Sequence, residues 1–144
     1  MTSFMRTVLS VIPVALTFAA CGGDETQGTE DHTPATYQLM VDGVGVVAPY
    51  TFAADQTSRV RIKFFNQAQH DLDDVEGEHF GGLTFSPTSL ATVSRVEGHN
   101  YQFDVTGQSP GTGILRVSFG HDAQAEETSF PNAAVTVTGG GEAP

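Results

Sequence analysis

The sequence predicts an all-β protein whose folded part is a single antiparallel β-sandwich. Seven short segments alternate apolar and polar residues with a period of two, as strands with one buried face do. Glycine and proline residues, typical of turns, separate these segments. Beyond the first twenty residues, no ten-residue window carries the apolar stripe of a helix.

The predicted strands follow one another along most of the chain. The first opens with the alternating run Tyr37–Val41, and the second is built on Val60, Ile62 and Phe64. In chain order the seven strands are 37–47, 58–66, 80–85, 90–96, 101–106, 112–119 and 133–138. About seven short strands in about 100 residues is the pattern of an immunoglobulin-like sandwich, although the Cys-Trp-Cys signature of antibody domains is absent.

The same alternation predicts which side chains form the core. We expect the apolar residues of the second, fifth, sixth and seventh strands to point inward: Ile62, Phe64, Phe103, Val105, Leu115, Val117, Val135 and Val137. Cys21 is the only cysteine, so no intramolecular disulfide can form and the fold must rest on this core.

The N-terminal region has the layout of a secretory signal peptide. Arg6 precedes an apolar run from Val8 to Ala20, and the small pair Ala19-Ala20 stands immediately before Cys21. The run is too short to span a bilayer, which needs about 20 apolar residues. We therefore divide the chain into a signal peptide (1–20), a cysteine with a flexible tether (21–35), the sandwich (36–138) and a flexible tail (139–144).

The junction Ala19-Ala20-Cys21-Gly22 resembles the lipobox of bacterial lipoproteins. It departs at Phe18, where that family usually has Leu, Val or Ile. The resemblance implies that Cys21 is lipidated, with palmitate among the acyl chains, and becomes the new N-terminus, anchoring the protein to a membrane of the cell envelope. Gly22 stands where an aspartate retains some lipoproteins at the inner membrane, so the resemblance implies the outer membrane where the cell has one.

A second resemblance covers roughly 30 residues. The segment Ala91-Thr92-Val93, then Gly98 and Gly107, then the run from Pro110 to Val117 look like the second half of bacterial Ig-like domains. This resemblance implies an extracellular spacer or binding unit without catalytic residues of its own. The expected partners are the membrane, through the lipid, and an envelope protein or glycan.

Charge and motifs exclude several functions. Removing residues 1–20 takes away Arg6 and leaves five basic and seventeen acidic residues, a formal charge of −12, so we expect no nucleic-acid binding. We also expect no enzyme, because the sequence has no Gly-x-Ser-x-Gly, His-Glu-x-x-His, phosphate-binding loop or cysteine nucleophile. The missing thiolate ligand argues against a blue-copper electron carrier.

Histidines and carboxylates cluster in three of the predicted connections. In an immunoglobulin-like sandwich the loops after the second, fourth and sixth strands lie at one end, so we expect their histidines to share one pole. The sequence predicts a divalent metal site there, with these candidate ligands or supporting groups: His70, His79, His99, His121, Asp73, Glu78, Asp122 and Glu126.

The ligand types decide the expected ion. Imidazole and carboxylate together fit Zn, Cu or Ni better than Ca, with Zn or Cu as the expected ion, although calcium held by an irregular acidic loop stays open. Two functions therefore follow from the sequence: a non-catalytic, lipid-anchored envelope module for binding, adhesion or assembly, and alternatively a periplasmic or surface metal binder. A hydrated acidic rim explains the same residues without any metal.

Overall fold

Two β-sheets packed face to face form the folded part of the chain. The computed structural model describes residues 33–72, 77–122 and 127–140, and the signal peptide, Cys21 and most of the tether lie outside them. Ten strands lie in the described part: β1 Thr36–Val41, β2 Val44–Val46, β3 Tyr50–Ala53, β4 Thr57–Phe65, β5 Phe80–Ser86, β6 Ala91–Arg95, β7 Gln102–Gly107, β8 Gly111–Gly120, β9 Thr128–Ser129 and β10 Ala133–Thr138. The predicted all-β sandwich is confirmed.

The strand order is that of an immunoglobulin-like sandwich. One sheet has the order β2-β1-β4-β7-β6, and all its neighbouring strands are antiparallel. The other has the order β3-β10-β8-β5, with β9 pairing β8, and its β3 runs parallel to β10. Apart from the added strands, these sheets correspond to the two sheets of an immunoglobulin constant domain.

The first predicted strand is divided in two. Asp42 and Gly43 both have positive φ, 50° and 83°, and join β1 to β2 as a two-residue hairpin. Positive φ at both central residues is the geometry of a type I′ turn, for which Asp-Gly is a preferred pair. The prediction of one continuous strand over 37–47 is therefore wrong, and β3 and β9 are strands that it did not include.

The predicted core is confirmed. All eight side chains predicted to point inward are buried, and Val60, Ile62 and Phe64 of β4 are fully buried on one face of the strand. Phe64 makes edge contacts with Tyr101 at 5.2 Å and Phe119 at 4.9 Å, so aromatic rings from both sheets meet around it. Pro34, which precedes β1, is buried as well.

Three loops meet at one end of the sandwich, as the strand order predicts. The loop from β6 to β7 reaches β5, where the Gly81 N–H donates to the Asn100 carbonyl at 3.1 Å. The loops that leave β4 and β8 meet through His79 and His121. A separate finding concerns membrane spans: among the described residues, no helix has the length and apolar character to cross a bilayer.

Candidate functional site

Two histidines lie together because of the register between β5 and β8. Phe80, the first residue of β5, pairs with Gly120, the last residue of β8. His79 and His121 stand one residue beyond this pair, so the sheet holds their backbones opposite each other. Their ring centroids are 4.3 Å apart, and the ring planes are tilted by 47°.

His79 is a buried imidazole at the edge of the core. Its residue is 5% exposed, and its ring stacks on Phe119 with centroids 4.9 Å apart and an interplanar angle of 20°. Burial of a polar ring is tolerated when its body packs on apolar groups and its polar atoms have partners. Stacking on Phe119 therefore holds the His79 ring in place.

His121 is oriented by a carboxylate. Its Nδ1 lies 2.5 Å from Glu127 Oε2, and the Glu127 N–H donates to the Phe119 carbonyl at 3.1 Å. The backbone bond anchors Glu127 to β8, and the side-chain bond holds the His121 ring with Nδ1 toward the carboxylate. The two side chains are 63% and 44% exposed, respectively, so the pair lies at the surface beside the buried His79.

The side chains of His79, His121 and Glu127 open onto a small cavity of about 280 Å³. Its lining residues are Thr33, Pro34, Glu78, His79, Phe119, His121, Glu127 and Thr128. Glu78 and Glu127 make the cavity acidic, and the two imidazoles supply nitrogen ligands. A hydrated cation fits this chemistry better than an anion does.

The predicted ligand set is only partly brought together. His79, His121 and Glu78 line the cavity, whereas the exposed His70 does not. His99 also lies outside the lining, and its Nδ1 is 3.1 Å from Gln102 Nε2. Asp122 is exposed next to His121.

The other carboxylates complete the comparison with the prediction. Asp73 and Glu126 lie outside the described residues. The contact with His121 comes from Glu127, the neighbour of the predicted Glu126. Within the described ranges, no three His, Cys, Asp or Glu side chains are arranged as a preformed metal site.

A larger groove lies along one edge of the sandwich, between the two sheets. It has a volume of about 850 Å³. Its walls include Tyr37, Tyr50 and Phe130, and the Tyr37 and Phe130 rings meet edge to face at 5.0 Å. None of the described residues that line the groove is charged, although the whole chain has a formal charge of −11.

The groove opens where two strands lose their outer neighbours. On β1, pairing with β2 begins at Leu39, so Tyr37 has no β2 residue opposite it. On β10, pairing with β3 begins at Val135, so Ala133 and Ala134 have no β3 residue beside them. The segment that links β2 to β3 crosses from one sheet to the other here and leaves Val47 80% exposed.

Comparisons with known proteins show likeness at the level of the fold. No protein-family model and no curated protein sequence matches the chain. Domains 4–9 of the surface layer protein SbsC align over 76% of this chain and 15% of that one, with 19% identity and a TM-score of 0.52.

Two further structures of the same protein give lower TM-scores. Domains 4 and 5 of the S-layer protein SbsC align at 18% identity and a TM-score of 0.47, over 74% of this chain and 54% of that one. Domains 1–6 align at 21% identity and a TM-score of 0.47, over 76% and 14%. The chain thus spans about half of the shortest of the three structures, and the comparisons support the sandwich fold alone.

Proposed function

We propose that this protein is a non-catalytic, lipid-anchored module of the bacterial cell envelope that binds another envelope component. Two features support the proposal from opposite ends of the chain. Ala19-Ala20-Cys21 resembles the lipidation junction of bacterial lipoproteins, and the sandwich shares its fold with domains of a surface layer protein. The likeness of fold to a surface layer protein supports a non-catalytic role for this module.

The uncharged groove is the observation that carries the binding role. On a strongly acidic protein, an apolar cleft without charged walls favours an uncharged partner, because a charged group would lose hydration there without gaining an ion pair. The exposed Val47 at its rim adds apolar surface that association would bury. The volume lies within the range of ligand-binding clefts, about 300–1,000 Å³.

The open strand edges indicate the form of the partner. An unpaired strand edge presents backbone N–H and C=O groups that another chain can satisfy by adding a strand. Immediately after β1, the Asp42 N–H donates to the Arg59 carbonyl of β4, and alternate residues of a strand face alternate neighbours. Tyr37 therefore directs its backbone groups away from β4 and into the groove. We take the partner to be an extended, uncharged segment of an envelope protein.

Photocrosslinking in intact cells tests the binding role. A benzophenone side chain at position 47 should give one discrete adduct, mapped by mass spectrometry to an apolar segment of a single envelope protein. The matched control is position 44, which is 65% exposed on β2 but does not line the groove. Equal adducts at both positions, an adduct on a glycan, or no adduct at position 47 would contradict the proposed partner.

The anchor is tested separately by intact-mass analysis. The mature protein should begin at Cys21 and carry the mass of its acyl chains, and Cys21→Ala should leave an unprocessed or mis-cut precursor. An unmodified thiol at Cys21 in protein from the native host would show that the junction is not a lipidation site. This result would leave the groove experiment unaffected.

A further inference from the structure

We propose that His79 and His121 form a two-imidazole binding site for a divalent transition-metal ion, with Glu127 as the residue that orients His121. The proposal goes beyond the envelope role and does not depend on the groove or the lipid. Four of the residues named above line one cavity: Glu78, His79, His121 and Glu127. The sequence points only to an end of the sandwich, whereas the structure selects this pair.

The Glu127 contact is the first step of the argument. A carboxylate that accepts a hydrogen bond from one imidazole nitrogen fixes the ring and raises the basicity of the other nitrogen, and metal-ligating histidines usually have such a partner. Glu127 lies 2.5 Å from His121 Nδ1, so Nε2 is the nitrogen that remains for an ion. With Glu127 ionised, this contact favours the neutral tautomer protonated at Nδ1, in which Nε2 can bind an ion.

The distance between the imidazoles is the second step. Two nitrogens bound to one zinc at about 2.0–2.1 Å lie no more than about 4.2 Å apart. The ring centroids of His79 and His121 are 4.3 Å apart, so the two rings are neighbours, and a shared ion requires the side chains to rotate until one nitrogen of each ring faces it. His79 stacks on Phe119, so the adjustment would fall to His121, whose side chain is 63% exposed and would move together with its partner Glu127.

The remaining coordination positions decide the class of ion. Within the described residues no third ligand is in place, so water and the Glu78 carboxylate at the cavity wall would complete the shell. Imidazole nitrogen with oxygen ligands suits the copper and zinc end of the first-row series rather than calcium or magnesium. The site is therefore open and exchangeable, unlike a closed four-ligand structural zinc site.

Zinc titration of the full-length, tag-free protein in detergent tests the site. At physiological salt, where diffuse attraction to the acidic surface is screened, His121→Gln and Glu127→Gln should each weaken zinc binding about tenfold or more. His70→Gln and His99→Gln are matched controls from the same end of the sandwich, and each should bind within about twofold of the wild type. His121 is chosen over the buried His79 because its replacement does not threaten folding.

Copper provides a second readout that counts ligands. The electron paramagnetic resonance spectrum of the protein with one equivalent of Cu²⁺ should show coupling to two imidazole nitrogens, reduced to one in His121→Gln. The proposal is overturned if the wild type binds zinc no more tightly than His121→Gln, or if His70→Gln or His99→Gln weakens binding as much. A wild-type copper spectrum without two coupled nitrogens would overturn it as well.

Discussion

Arg95 shows how one residue connects the two sheets. It belongs to β6, yet its guanidinium donates to the Gly81 carbonyl of β5 at 2.8 Å and also to the Asn100 carbonyl. It lies over the rings of Phe80 and Phe103, at 5.3 and 5.0 Å from their centroids. Burial lowers the pKa of Arg95, but a guanidinium stays charged at any physiological pH. A planar, multiply donating cation suits this place between carbonyls and rings better than lysine would.

Tyr50 should make the protein sensitive to alkali. Burial raises the pKa of Tyr50 above its usual 10.0, and a hydrogen bond with Tyr37 adds to the shift. The folded state thus holds the phenol proton more tightly than the unfolded state. The free energy of unfolding should be steady below about pH 10 and fall above it, by up to about 1.4 kcal/mol per pH unit from this group.

Urea unfolding of Tyr50→Phe at about pH 8 and pH 11 tests this alkaline prediction. The variant should be about 1 kcal/mol less stable than wild type at pH 8, because the bond to Tyr37 is lost. At pH 11 the difference should narrow or reverse, since phenylalanine has no proton to release. A difference that stays constant across the range would contradict the role assigned to Tyr50.

At the scale of the elements, turn residues decide where strands divide. The β1–β2 hairpin depends on Asp42 and Gly43, and the Asp42 carboxylate also accepts the Arg59 N–H at 2.8 Å. The turn therefore both reverses the chain and attaches to β4. The turn also affects the groove, because the short β2 leaves the start of β1 unpaired on the side opposite β4.

Gly43→Ala should lower the free energy of unfolding by about 1–2 kcal/mol. The reason is conformational: the residue has a φ of 83°, whereas a Cβ there would meet no atom within 4 Å. Gly77→Ala is the matched control, since a Cβ at Gly77 meets nothing within 4 Å either and no positive φ is required. Thermal unfolding of both variants measures the effect, and equal melting temperatures would show that the turn conformation carries no cost.

The whole molecule rests on one apolar core shared by the two sheets. Residues of β4 and β7 from one sheet and of β8 and β10 from the other belong to the same buried cluster. The chain has one cysteine, so no intramolecular disulfide reinforces this core. Total stability of a domain of this kind is about 5–15 kcal/mol, and the loss of one large core side chain is a considerable part of it.

Phe103→Ala should lower the free energy of unfolding by about 3–5 kcal/mol. Phe103 is 3% exposed, and the Arg95 guanidinium lies over its ring, so the change removes both buried apolar surface and this cation–π contact. Val44→Ala on the exposed face of β2 is the control and should change stability by less than about 0.5 kcal/mol. Urea unfolding that finds Phe103→Ala as stable as the control would mean that β7 is placed in the wrong register.

Local alternation predicted most strands and the inward faces, because side chains of a strand point to opposite sides whatever the strand pairs with. The period of two in β4 and β10 thus identified Ile62, Phe64, Val135 and Val137 as core. The four-residue β3 shows the same alternation, with Tyr50 and Phe52 buried and Thr51 exposed between them. It was not predicted because so short a segment next to Pro49 does not stand out in the sequence. Its residues pair with β10 residues 85 positions later in the chain, as Tyr50 does with Val135, and nothing local specifies such a pairing.

The candidate sites depended on tertiary structure more than the strands and the core did. The sequence alone determined the lipobox-like junction, the alternation and the positions of histidines in three connections, since each of these is a local pattern. Only the pairing of Phe80 with Gly120 brought His79 to His121, and only the anchoring of Glu127 to Phe119 selected that carboxylate. The uncharged groove likewise exists because β2 ends at Val46 and β3 begins only at Tyr50, on two different sheets. Register and strand length arise from contacts between distant segments, so they were decided when the sheets packed and not by any short stretch of residues.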